Sequence, residues 1–272
     1  MTAFLQGAVT SVCMCWRLER SDGVALGFTT HDRDFLIDGL AYRAAPGLLP
    51  SAVSVSDGLD ADSVDVKGAL TSDAVTAADL GAGRWDGARL SLFLTDWTAP
   101  GAERLHVMRG ALGEISQTGA AFAAELNGPT ASLDAPVVEQ TSPTCRASLG
   151  DKRCRVDMAR RTRRARVANW DGDRLITLDS GEPTMNAYGY GRLRWLSGQN
   201  SGLESHIRAS DGATVSLREP PAFWPGTGDL LLLSEGCDRR VETCVDRFAN
   251  TANFRGEPHL PGIDLLTRYP GA

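Results

Sequence analysis

The stretch from Trp170 to Leu233 limits the fold more than any other part of the chain. Five short apolar or alternating runs lie there: Arg174–Leu178, Gly191–Leu196, Leu203–Ala209, Thr214–Leu217 and Asp229–Leu233. They are separated by turn-forming clusters such as Trp170-Asp171-Gly172-Asp173, Ser197-Gly198-Gln199-Asn200-Ser201-Gly202 and Asp211-Gly212. Runs this short, bounded by glycine, read as strands rather than helices. Short strands at regular spacing predict a closed or nearly closed small β-barrel.

The rest of the chain reads as strands and turns too. Val12, Met14, Trp16 and Leu18 alternate with Cys13, Cys15 and Arg17, the period of a half-buried strand, and Ser21-Asp22-Gly23 turns it into Val24–Phe28. Arg89–Trp97, Arg104–Arg109, Leu112–Ile115 and Ala121–Leu126 form a second strand-rich stretch. Two helices are predicted: a short one over Ser72–Leu80, capped by Ser72 or Asp73, and one over Asp157–Arg166, rich in alanine and arginine. With 272 residues the chain exceeds one ordinary core. The expected class is mainly β: strand-rich N-terminal subdomains over 1–140, then a small-barrel domain over 141–272.

Six cysteines stand in a chain whose first residues, MTAFLQGAVTSVCMCW, lack the basic flank and apolar run of a signal peptide. The expectation is folding in a reducing cytoplasm, with the cysteines as thiols or metal ligands rather than disulfides. Cys145 and Cys154 have eight residues between them, Cys237 and Cys244 have six, and the two pairs flank the predicted barrel. Four thiolates drawn together suit zinc or an iron–sulfur cluster. Neither gap is that of a zinc knuckle, and longer gaps are easier to reconcile with a cluster. The bland alternative is four small buried hydrophobes. Cys13 and Cys15 read as strand packing.

Net charge is −6, which does not advertise nucleic-acid binding. The charge is uneven, however. Asp57–Asp79 holds six aspartates and one lysine; Cys145–Arg166 holds nine basic and two acidic residues. Arg160, Arg161, Arg163, Arg164 and Arg166 read first as a subunit-facing surface, then as support for an anionic thiolate centre, and last as a DNA contact. His31-Asp32-Arg33-Asp34 reads as a turn rather than a catalytic base with Cys13 or Cys15, because no elbow or oxyanion donor accompanies it. No nucleotide-binding glycine loop, GxSxG or HExxH occurs, so no catalytic residue is assigned and a non-enzyme is expected.

Four segments carry a family resemblance: CWRLERSDGVALGFTTHDRDF, CRASLGDKRCRVDM, WLSGQNSG and GCDRRVETCVDRFANTANFRGEPHLPG. In this order, from about Cys15 to Gly262, the chain resembles the tail-tip hub proteins of siphophages, prophages and gene transfer agents, a family with a tail-tip protein of phage lambda among its members. The resemblance implies a structural protein of the tail tip or baseplate that joins the tail tube to the tip and helps form a DNA-delivery channel. It further implies a homotrimer, a distal tail protein ring and a central tip or fibre protein as partners, and transient passage of DNA; no membrane anchor is expected, because the longest apolar run, Leu230–Leu233, is too short to cross a bilayer. An iron–sulfur cluster of the 4Fe-4S kind on Cys145, Cys154, Cys237 and Cys244 is implied as well. His259 stays a loop residue in this reading, and the loop from Arg255 to Gly262 is expected to pack on the cysteine domain and dock a neighbour. A zinc-stabilised interaction module and a cell-wall-degrading tail enzyme are the competing readings.

Overall fold

The computed structural model describes residues 3–6, 10–44, 48–50, 63–69, 75–118, 121–128 and 138–260. The chain divides into two compact units, Met1–Val137 and Val138–Ala272.

In the first unit nine strands make one sheet: β1 (Val12–Glu19), β2 (Ala25–Thr29), β3 (Phe35–Ile37), β4 (Leu40–Ala44), β5 (Leu48–Pro50), β6 (Ser63–Ala69), β7 (Arg89–Asp96), β8 (Leu105–Thr118) and β9 (Ala121–Asn127). The order is β3-β4-β2-β1-β7-β8-β9-β6-β5, and among the described residues only β2 and β4 are parallel neighbours. One continuous sheet thus joins the strand-rich stretches of this unit. The two runs read at 104–109 and 112–115 are one long strand: Gly110 does not break it but pairs with Leu90 in the ladder, and register shifts absorb the irregularity.

Strand β1 is buried on both faces, not one. Trp16 and Leu18 join Leu90, Leu92 and Trp85 in the larger core, while Cys13 and Cys15 pack with Ile37, Tyr42 and Phe93 in a second one. Helix α1 (Ala77–Gly81) and the turn carrying Trp85 contribute Leu80 and Trp85 to the larger core. Thr76 caps α1, its hydroxyl accepting the Asp79 N–H at 3.1 Å; Ser72 and Asp73, the caps expected from sequence, lie outside the described residues.

The second unit holds a closed barrel of six strands: β10 (Thr162–Trp170), β11 (Leu175–Leu178), β12 (Arg192–Trp195), β13 (Glu204–Asp211), β14 (Thr214–Leu217) and β15 (Leu230–Ser234). Their order is β10-β11-β14-β13-β12-β15. Closure hides every edge, and Ile176, Leu193, Trp195, Ile207, Leu217 and Leu231 fill the interior, each fully buried.

The helix expected over 157–166 is absent. A 3-10 turn at Ala159–Arg161 leads into β10, the sixth barrel strand. Ala165 and Val167 point inward at period two, and the segment pairs with the leucines of β15. Alanine and arginine favour helix weakly, by tenths of a kcal/mol per residue, and a paired, half-buried strand outweighs that preference. The WLSGQNSG segment ends β12 and forms the turn towards β13. Asn200 is buried there, giving its amide N–H to the Phe223 carbonyl (2.7 Å) and accepting the Phe223 N–H (2.9 Å).

Candidate functional site

Strand register explains how distant cysteines meet. Thr162 at the start of β10 pairs with Ser234 at the end of β15. Residues just before 162 and just after 234 therefore leave the barrel at the same end. Cys237 follows β15 directly, and Cys244 lies on helix α2 (Val241–Asp246). Cys145 and Cys154 approach from the other side of the sequence. All four line one cavity, together with Ala147, Leu149, Val156, Phe248 and Phe254.

Each cysteine segment is held by its own contacts. Asp151 accepts the backbone N–H groups of Ser148 (2.8 Å), Arg153 (2.8 Å) and Cys154 (2.6 Å), which folds 148–154 into a tight loop and holds the Asp151 carboxyl below its usual range. The Cys145 N–H donates to the Arg239 carbonyl (2.9 Å), and the Arg146 N–H to that of Arg255 (2.9 Å). Gly256 runs so close to Thr144 that a Cβ there would lie 2.7 Å from its backbone. The Arg146 guanidinium clamps Glu257 through two bonds, 2.6 and 2.8 Å.

N–H donors also reach the sulfurs. The Arg239 N–H points at Cys237 Sγ and the Arg255 N–H at Cys145 Sγ, both at 3.3 Å. The Asn250 amide lies 3.7 Å from Cys154 Sγ and bonds the Cys154 carbonyl at 2.6 Å. Burial pushes the thiols of Cys237 and Cys244 up, and the other cysteines of the cavity add to it by charge repulsion.

Beside the cavity sits a buried carboxylate. Glu235, 8% exposed, takes Arg161 and Arg247, each at 2.8 Å. Both guanidiniums lie over the Phe248 ring, 4.6 and 5.0 Å from its centroid. Arg161 thus belongs to the support of the cysteine cavity, whereas Arg163, Arg164 and Arg166 lie exposed on β10. Sequence reasoning missed Asp151, Glu235, Arg247 and Asn250. The one available signal was a carboxylate ending an apolar strand, LLLLSEGC, immediately before a cysteine.

The four cysteines share a cavity without forming the ligand shell of a single ion: among the described residues, no three His, Cys, Asp or Glu side chains stand together in that way. His259 is exposed and does not line the cavity, and Pro261 and Gly262 lie outside the described residues. His31 forms the expected turn, its Nδ1 accepting the Arg33 N–H at 3.1 Å. Cys13 and Cys15 are buried in a core of the first unit.

Two families match this chain. One, described as baseplate hub protein, N-terminal attachment domain, covers residues 1–157; the other, phage conserved hypothetical protein BR0599, covers residues 186–264. The chain belongs to the baseplate hub protein family. It is a structural protein of the tail tip of a phage-like particle. A solved structure titled virion of native gene transfer agent particle contains a chain 38% identical to this hub protein. The match covers 98% of this chain and 94% of that one, with a TM-score of 0.87. No curated protein matches. Among the described residues of the hub protein, no helix is long and apolar enough to cross a membrane.

The Arg146–Glu257 clamp gives a pH prediction. Hydrogen bonds from Arg146 hold the Glu257 carboxyl at about 2, against an ordinary value of 4.5. A depressed carboxyl stabilises the fold fully above its unfolded pKa and loses that contribution as pH falls through the folded one. The melting-temperature gap between wild type and Glu257→Gln should therefore shrink as pH drops from 4.5 towards 2. A gap constant across that window would show that the clamp is screened by solvent.

Proposed function

We propose that this hub protein connects the tail tube, through the distal tail protein ring, to a central tip or fibre protein, and that three copies surround a channel for DNA delivery. The observation that carries the reading is similarity over nearly the whole chain to a component of a gene transfer agent virion, together with the attachment-domain match over 1–157. A mainly β chain with a nine-stranded sheet and a closed barrel suits a mechanical connector. The enzyme reading has no support in the geometry around His31, whose ring packs against Phe35 and Trp97. The loop after Arg255 docks a neighbouring tail protein in this reading.

The four cysteines are assigned to an iron–sulfur cluster of the 4Fe-4S kind, with zinc as the alternative. Four soft donors facing one apolar-walled cavity, with N–H groups aimed at three of the sulfurs, suit a thiolate-held centre. Zinc would draw the same four thiolates to about 2.3 Å from one point. A cluster spreads its ligands more widely. When bound, it would act as a staple linking the segment before the barrel to the segment after it.

Particles produced without this chain test the connector role. They should carry tails that lack the tip and should fail to deliver DNA, with both properties restored by the intact chain. Normal tips and normal delivery in its absence would overturn the reading.

A further inference from the structure

We propose that the outward wall of barrel strands β10, β15, β12 and β13 contacts the phosphate backbone of duplex DNA, without regard to sequence. The inference rests on the hub reading, which brings DNA to the tip, and names the surface and the chemistry of contact that this reading leaves open.

Charge on the barrel is one-sided. Its six strands carry six arginines (Arg163, Arg164, Arg166, Arg192, Arg194 and Arg208) and two carboxylates, Glu204 and Asp211. All eight lie on β10, β12 and β13, which β15 joins into one continuous half of the barrel. Strands β11 and β14 hold no charged residue. Read as a helix, Arg163, Arg164 and Arg166 stand alone; as strand β10 they share a wall with the other three.

All six arginines are exposed, while their neighbours Ala165, Val167, Leu193 and Ile207 fill the interior. Packing therefore requires no guanidinium at these positions. Glu204 bonds Arg192 at 3.1 Å and faces Arg194 across the ladder, which neutralises part of the wall. The Arg166 side chain bonds the Gly228 carbonyl at 2.9 Å. Arg163, Arg164, Arg194 and Arg208 form no ion pair among the described residues. Just beyond the strand ends, Asp179 and Asp229 accept the backbone N–H groups of Arg166 and Gly226, each at 2.8 Å. Buried Glu235 is taken by Arg161 and Arg247.

Spacing and composition select the partner. Arg164 and Arg194 both pair with Leu232, which sets them two strands, about 10 Å, apart. Arg192 and Arg194 are alternate residues of one strand, about 7 Å apart. One carboxylate cannot serve cations spread over such a lattice, whereas duplex DNA carries a charge for about every 1.7 Å of its axis. A protein-binding patch has an apolar centre depleted of charge. Here the centre is charged, and the four strands expose no large apolar side chain. Dispersed contacts to phosphate permit sliding, so a wall of this kind can guide a moving duplex without arresting it.

Anisotropy of a short labelled DNA duplex, titrated with the full-length protein, tests this. Wild type should bind at low salt, equally for duplexes of unrelated sequence, and log affinity should fall linearly as log salt rises. Arg164→Gln with Arg194→Gln should weaken binding about tenfold at low salt and reduce the salt slope by about two, one for each lost phosphate contact. Arg33→Gln with Arg43→Gln, at exposed arginines of the first unit, should change neither. No binding by wild type, or a barrel variant that binds as wild type does, overturns the proposal. So does a wild type that ignores duplex DNA but binds poly-glutamate through the same arginines, which would make this a face for an acidic protein. If the double variant fails to fold, Arg208→Gln decides: its slope should be lower by about one, and an unchanged slope overturns the proposal. In each overturning case, recovery of the wild-type chain in purified particles leaves the hub reading standing.

Discussion

Replacing Glu235 by alanine should cost the C-terminal unit about 3 kcal/mol, which corresponds to a fall of roughly 10 °C in melting temperature. The carboxylate is buried and takes two guanidiniums on one oxygen, so its removal leaves Arg161 and Arg247 close together beside Phe248 without a counter-charge. Losing one member of a buried ionic group costs more than the pair contributes, because the remaining charge stays desolvated. The arginines keep about a quarter of their side-chain surface, which sets the expectation at the low end of the usual range. Chemical denaturation of wild type, Glu235→Ala and Glu235→Gln would measure it. A loss below about 1 kcal/mol would place the triad among solvent-screened surface pairs.

The second large effect concerns the thiols. Protein purified without oxygen should contain iron and acid-labile sulfide and absorb visible light, and Cys237→Ser should remove most of both. The same variant should melt well below wild type, because binding energy at a site formed only on folding is folding energy. Cys15→Ser, in the core of the other unit, should leave the iron content unchanged. A colourless wild type without iron or sulfide would end the cluster assignment, and zinc in their place would favour the alternative.

The barrel was legible because its signals are local. Alternation within β11 to β14 and the glycine turns between them need no distant partner to be read. Strand β10 was not legible for the opposite reason. Its alanines and arginines favour a helix in isolation, and what makes them a strand is the ladder to Leu230–Ser234. The single sheet of the first unit was hidden in the same way. The pairing of β6 with β9, for instance, joins residues 63–69 to 121–127, and nothing in either run names the other. The four cysteines could be picked out by spacing and by family resemblance. Their shared cavity follows from register, since Thr162 and Ser234 are partners and the flanking segments must emerge side by side. Cys13 and Cys15 were read correctly as packing, although on a strand enclosed on both faces rather than one.

Strand β15 is the last of the barrel in sequence and bonds to both β10 and β12. On the ribosome, then, the earlier five strands wait as an open array until residue 234 has left the exit tunnel, and the hairpin-like cysteine loop at 145–154 waits with them. When β15 arrives, one event seals the array and delivers Cys237, with Cys244 only a few residues behind. Synthesis from the N-terminus therefore imposes an order: the cysteine cavity is completed only after the barrel can close, so a nascent chain stalled before residue 230 holds two of the cavity's four thiols and no place to use them.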